Sequence, residues 1–331
     1  MKTLIRFLTF SLIAAIAWLT YFAYTPIQLK TETVDFDIEA GSRFRVISKQ
    51  LVAQKVLAEP LSFELLARVL GQASDLKAGI YIIKNGTTPI DLLTQITSGT
   101  TGQAGVTFIE GWTFAQMRQA LNQNEAIKHM TMSETDAQIL KQIGANETQA
   151  EGLFFPDTYY FAPNTSDREI LKRAYITMQG KINKAWAEKS EGLPYQTPYQ
   201  ALIMASIVEK ETGKASERPQ IAGVFINRLK VGMRLQTDPT VIYGLGEHFD
   251  GNLHKKDLLT DTAYNTYTRD GLPPTPIAMP GLSAIHAALH PAPTKALYFV
   301  GKGDGSHAFS ASLSEHNNAV VRYQLGGKNA R

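Results

Sequence analysis

ALIMASIVEKETG, residues 201–213, decides how this chain is read. Thr197 is placed to cap a helix and Pro198 suits its first position, where a missing N–H costs nothing. Gly213 is the expected closing residue, in a left-handed conformation. At about 100° per residue, Ile203, Met204, Ile207 and Val208 share one face, and Glu211 falls in the middle of it. Glu209 projects to the opposite side, near Leu202. Burial against apolar side chains and the negative end of the helix dipole both disfavour a charged carboxylate. A carboxyl kept neutral near pH 7 can donate a proton to a leaving oxygen, as cleavage of a glycosidic bond requires. The alternative is a solvated Glu-Lys-Glu cluster at a helix end.

Outward from this helix, the 331 residues are 44% hydrophobic and 19% charged, enough for a sizeable core and about two domains. A net charge of +3 is too mild for a dedicated nucleic-acid surface. The chain has no cysteine, which removes disulfides, thiolate metal sites and thiol nucleophiles together.

Phe7 to Tyr24 carry no charge and follow Lys2 and Arg6, so residues 1–25 are expected to form a transmembrane anchor with a cytoplasmic N-terminus. A cleaved signal peptide is the alternative, with Ala15-Ile16-Ala17 as its site. Residues 26–35 read as a polar tether. Residues 36–104 alternate strand-like and helical pieces and form a small α/β unit; residues 105–331 form the larger domain. Within it, 122–150 read as helical with polar interruptions. Glu151 to Ser166, EGLFFPDTYYFAPNTS, is too irregular for a strand and too apolar for a free loop, so it packs internally or lines a cleft.

The last third crowds Gln236, Thr237, Asp238, Tyr243, Tyr264, Asn265 and Tyr267 into short loops. Aromatic faces beside amides and hydroxyls suit a sugar, although Asn, Asp and Gly also mark turns for backbone reasons. Six of the seven histidines follow residue 247. His286 and His290 have ligand-like spacing, but there is no HExxH and no acidic third ligand, so no metal or other cofactor is expected. No G-x-S-x-G or phosphate-binding loop occurs.

The blocks EGWTFAQM, EGLFFPDTYYF, ASIVEKET, VFINRL, MRLQTDPTVIYG, AYNTY, GLPP and HPAPTKALYFV, in that order, resemble the YceG-like family of endolytic murein transglycosylases. The resemblance implies an α+β architecture: an inner-membrane helix, a LysM-like small domain and a lysozyme-like catalytic domain in the periplasm. It implies cleavage of MurNAc-GlcNAc bonds in nascent peptidoglycan strands, leaving 1,6-anhydroMurNAc ends, with peptidoglycan synthases as partners. The lysozyme-like pattern sets Ser or Thr directly after the catalytic Glu, which Glu211-Thr212 matches and Glu209-Lys210 does not. Thr212 joins the substrate-binding residues, and Gln236 to Asp238 become the nearby contacting loop. A hydrolytic muramidase using Asp238 and a non-catalytic peptidoglycan-binding scaffold are the rival readings.

Overall fold

The computed structural model of the chain describes residues 2–39, 41–99, 104–161 and 163–326. Ala162 in the aromatic run, residues 100–103 near the expected domain boundary and the tail 327–331 lie outside the described residues. Two compact units emerge: residues up to 105 together with 160–165, and residues 106–159 together with 166 onward.

The first unit comprises α1 (Lys2–Tyr24), β1 (Thr33–Ile38), α2 (Phe44–Ala53), α3 (Leu61–Val69), β2 (Gly79–Lys84) and α4 (Pro89–Ser98). β1 and β2 pair antiparallel, Phe36 opposite Tyr81. Alternate side chains, Phe36 and Ile38 on one strand and Tyr81 and Ile83 on the other, are buried with Ile47, Leu51, Phe63 and Leu92 from the helices. That is the period-2 pattern of a sheet covered on one face.

One N-terminal expectation needs correction. The run expected to span a membrane does form one helix, yet among the described residues no helix is long and apolar enough to cross one. Leu19, Phe22 and Ala23 of α1 pack into the core of the first unit. The remaining turns, at about 1.5 Å per residue, fall short of a hydrocarbon layer of about 30 Å. The stretch read as a tether begins against the first unit. Ile27 is buried, its N–H donates to the Thr87 carbonyl at 2.9 Å, and its own carbonyl accepts from Gly86 N–H at 2.9 Å.

The second unit starts within β3 (Ala104–Thr107), which pairs with β4 further on, and continues with α5 (Phe114–Asn122) and α6 (Asp136–Ile143). β4 itself is Thr158–Phe161, followed by α7 (Asp167–Ala187), α8 (Pro198–Glu211), α9 (Arg218–Lys230) and α10 (Asp238–Leu245). The chain closes with α11 (Lys255–Leu259), α12 (Leu282–Leu289), β5 (Tyr298–Gly301), β6 (His307–Ser310) and α13 (Leu313–Tyr323). Residues 122–150 contain less helix than their composition suggests. Arg118 satisfies the carbonyls of Thr131, Met132 and Glu134 by its guanidinium, which stabilises a turn in place of a ladder.

The centre of the second unit is α8, packed by α7, α9, α10 and α12. Thr197 caps it, accepting from Gln200 N–H at 3.3 Å. Every residue from Ala201 to Val208 is buried. The expected one-sided stripe is therefore an apolar collar, the pattern of a helix enclosed on all sides. Ser206, inside that collar, donates to the Ile203 carbonyl at 2.7 Å and accepts from Ile277 N–H at 3.0 Å. The closing residue is also corrected. Gly213 is not left-handed. Instead, α8 stops at Glu211 and the chain leaves through an extended Thr212 (φ −147°, ψ 132°).

Candidate active site

The exit from α8 puts Glu211 on the wall of a cavity of about 390 Å³, shared with Arg228, Gln236, Thr237, Asp238 and Tyr267. Thr237 Oγ1 donates to Glu211 Oε1. Thr237 is buried and cannot swing away. Its N–H donates to Thr266 Oγ1 at 3.1 Å, and its carbonyl accepts from Thr240 Oγ1 at 2.8 Å. Gln236 holds a left-handed conformation (φ 48°), which costs a non-glycine residue roughly 1–2 kcal/mol. Its N–H donates to the Thr266 carbonyl at 3.1 Å, so the same Thr266 pins the strained residue and the donor.

Burial pushes Glu211 up to about 7. The Thr237 hydrogen bond, His307 and Arg228 oppose that rise, and the neighbouring Asp238 charge adds to it. Asp238 accepts from Tyr267 Oη at 2.5 Å. Arg228 is buried and held by two carbonyls, Nε to Leu297 at 2.7 Å and Nη1 to Leu235 at 2.5 Å. Its charge thus stands under the cavity without a direct ion pair to either carboxylate.

Glu209 is buried as well, but in a different setting. Its carboxylate accepts from Arg218 Nη2 at 2.7 Å and from Gly281 N–H at 2.9 Å. Burial raises its pKa, against the lowering effect of these two partners. Glu209 lines neither the Glu211 cavity nor the larger one beside Tyr243 and Tyr264.

The expected substrate residues separate into groups. Gln236, Thr237, Asp238 and Tyr267 meet at Glu211. Thr212 is buried and its Oγ1 accepts from Lys214 N–H at 3.0 Å, so it shapes the turn after α8. Asn265 is fully buried; its amide donates to the carbonyls of Asp257, Leu258 and Thr260, and its oxygen accepts from Tyr267 N–H. It clamps a loop. Tyr243 and Tyr264 line a different cavity, of about 790 Å³, their rings edge-on at 4.8 Å.

Sequence reasoning missed Arg228, Tyr298, Phe299, Leu313 and His316, which complete the first cavity. They come from α9, β5 and α13, and only tertiary packing brings them to the end of α8. It also missed Glu151, buried beside the second cavity. The histidines considered for metal stack on each other, rings 4.3 Å apart, and His290 meets Ser190 Oγ at 3.3 Å. Among the described residues no three His, Cys, Asp or Glu side chains are grouped to hold a metal ion.

A family profile described as the YceG-like family matches residues 36–322. The endolytic murein transglycosylase of Bacillus subtilis (strain 168) is 34% identical over 317 residues, covering 90% of this chain and 87% of the relative. The endolytic murein transglycosylase of Streptococcus pneumoniae serotype 2 (strain D39) is 27% identical over 328 residues. There the match covers 89% of this chain but only 59% of the pneumococcal protein. The crystal structure of a yceG-like protein from Listeria monocytogenes superposes with a TM-score of 0.54 at 30% identity, covering 87% of this chain and 98% of that one.

Proposed function

Since the chain belongs to the YceG-like family and is a lytic transglycosylase of peptidoglycan, we propose that Glu211 is its single catalytic carboxyl. The protonated acid donates to the oxygen linking MurNAc to GlcNAc, the bond from that oxygen to the muramoyl C1 breaks, and the GlcNAc end departs as an alcohol. The resulting carboxylate takes the proton of the muramoyl C6 hydroxyl as O6 closes on C1. The product is a 1,6-anhydroMurNAc end, no water is consumed, and Glu211 is protonated again. Thr237 orients the carboxyl, and the Tyr267–Asp238 pair with Gln236 borders the sugar.

The observation that carries this reading is a carboxyl on a cavity wall whose burial raises it to about 7, so that both proton states are accessible near neutrality. Glu209, already committed to Arg218, is the internal comparison. Purified glycan strands incubated with wild type, Glu211→Gln and Glu209→Gln test it, with mass spectrometry of the ends. Anhydro ends from wild type, and their loss in Glu211→Gln, support the reading. Asp238 in the same cavity favours a second reading, hydrolysis with two carboxylates, which would leave reducing ends.

The enzyme works outside the cytoplasm, where peptidoglycan lies. Within that compartment we assign attachment to the inner membrane to α1, whose Phe7, Phe10, Ile13 and Ile16 are exposed. The antiparallel pair of the first unit, backed by helices, is read as a LysM-like holder of glycan. Cleavage of nascent strands would end their elongation, which makes peptidoglycan synthases the implied partners.

A further inference from the structure

The cavity of about 790 Å³ is walled in part by Pro239, Ile242 and Tyr243 of α10 and is the larger of the two. Its walls include the rings of Phe114, Tyr243, Phe249 and Tyr264, with Glu151 and Ile242 between them. Glu151 is buried; its carboxyl accepts from Phe114 N–H at 3.1 and 3.3 Å and from Tyr243 Oη at 3.1 Å. Glu151 thereby caps the first amide of α5, which accounts for one side of the carboxyl and leaves its place on the cavity wall over. Thr113 and Gln116 close a reciprocal capping box on the neighbouring amides of α5. An acid desolvated in this way is costly unless it serves a ligand or a network, and no step at Glu211 uses it. Burial holds it up at about 7, so that near neutrality it can either donate or accept a hydrogen bond.

The chain links the two cavities directly. Lys210 and Pro239 line the larger one, while their neighbours Glu211 and Asp238 line the smaller. The ridge between the cavities is therefore the end of α8 against the start of α10. A linear polymer lying across that ridge would reach both.

We propose that the larger cavity is a saccharide subsite, taking an N-acetylhexosamine of the same strand with its apolar ring face on Tyr243 and Tyr264 and a polar edge on Glu151. The inference rests on the glycan-cleaving reading of Glu211. A neutral sugar fits better than a stem peptide ending in carboxylate. Glu247 and the Arg118-paired Asp136 line the cavity against Lys210, and Glu151 adds like charge wherever it ionises, which disfavours an anionic end. Aromatic walls with one convergent polar group are the usual form of such a pocket.

The test uses the full chain carrying Glu211→Gln, titrated with tetra-N-acetylchitotetraose and followed by amide NMR. Shifts are expected at Phe114, Glu151 and Tyr243, and adding Ile242→Trp, which fills the cavity, should weaken them at least tenfold in apparent affinity. In the otherwise wild-type chain, Ile242→Trp and Glu151→Gln should each raise KM for long strands by about tenfold, more than they lower kcat. If Glu151→Gln does not fold, Ile242→Trp carries both measurements from a half-buried position. Shifts confined to the Glu211 cavity, or an unchanged KM in the folded variants, overturn the subsite and leave the reaction standing. Undiminished cleavage by Glu211→Gln overturns the reaction, while shifts at Tyr243 would still uphold the subsite.

Discussion

Two glutamates two positions apart, both withdrawn from water, are given opposite work by their partners. Glu211 meets a hydroxyl and a cavity, Glu209 a guanidinium and a backbone N–H. Glu211→Gln is expected to cut kcat by at least ~100-fold, the usual worth of acid catalysis, with little loss of fold. Glu209→Gln leaves the buried Arg218 short of its closest charge and should lower unfolding free energy by about 3 kcal/mol, read as a fall in Tm. Removing a donor to an ionised acid raises its pKa, so Thr237→Ala should carry the alkaline limb of the kcat/KM profile to higher pH and cost about tenfold in rate. Thr237→Ser should restore both. The same charge balance governs stability. Glu211 and Glu151 sit at about 7 in the folded chain against about 4.3 unfolded, so the folded state holds the extra protons between those values. Their contribution is whole below about pH 4.3 and is lost as pH climbs through 7. Glu211→Gln should therefore melt at a higher temperature than wild type at pH 8 and show no such gain at pH 4, a pair of scans sufficing to check it.

At the scale of elements, α8 owes its position to an unbroken buried run, and the segments around it pack against one another without slack. Gly152 has φ +77°, and a Cβ there would meet Pro276 at 2.3 Å. Gly223 on α9 would bring a Cβ to 2.8 Å from the Ala292 carbonyl. Gly152→Ala combines backbone strain with a clash and should cost more than about 2 kcal/mol, visible as a lower denaturant midpoint with unchanged slope. Much of this scaffold was legible in the chain. Thr197-Pro198 announces the start of α8, and helical phase separates Glu211 from Glu209. What it hid was the enclosure. Eight consecutive small and apolar residues satisfy a one-sided wheel and a buried core equally well, and the partner of Glu209 lies on α9, beyond any local pattern. Asn265 shows a second limit. An amide that grips three loop carbonyls and one that grips a sugar have the same sequence signature, since both need a short side chain with two donors and an acceptor. Glu151 was legible only as part of an aromatic run, because its partner Tyr243 lies 92 positions away.

Across the whole molecule, both cavities are built from the second unit alone, while the helix assigned to the membrane belongs to the first. On the proposed attachment, that division would separate where the enzyme is held from what it does. α1 itself is divided in the same sense. Leu19, Phe22 and Ala23 serve the core of the first unit, whereas Phe7, Phe10, Ile13 and Ile16 are exposed. Burying a side chain of that size is worth about 1.5–3 kcal/mol, so four of them outweigh the cost of confining the protein to a bilayer surface. Removing residues 2–16 should consequently release the protein from sedimenting membranes and leave its Tm within a degree or two, because no residue of the described core is lost. Its kcat on isolated glycan strands should stay within twofold of the full chain. A deletion reaching Ile27 makes the contrast: it removes Ala23 and Ile27 from the core, and should lower the melting transition of the first unit. Membrane sedimentation unchanged by the shorter deletion would remove α1 as the attachment, and a collapse of Tm on that deletion would mean that its outer turns are covered by protein instead of lipid.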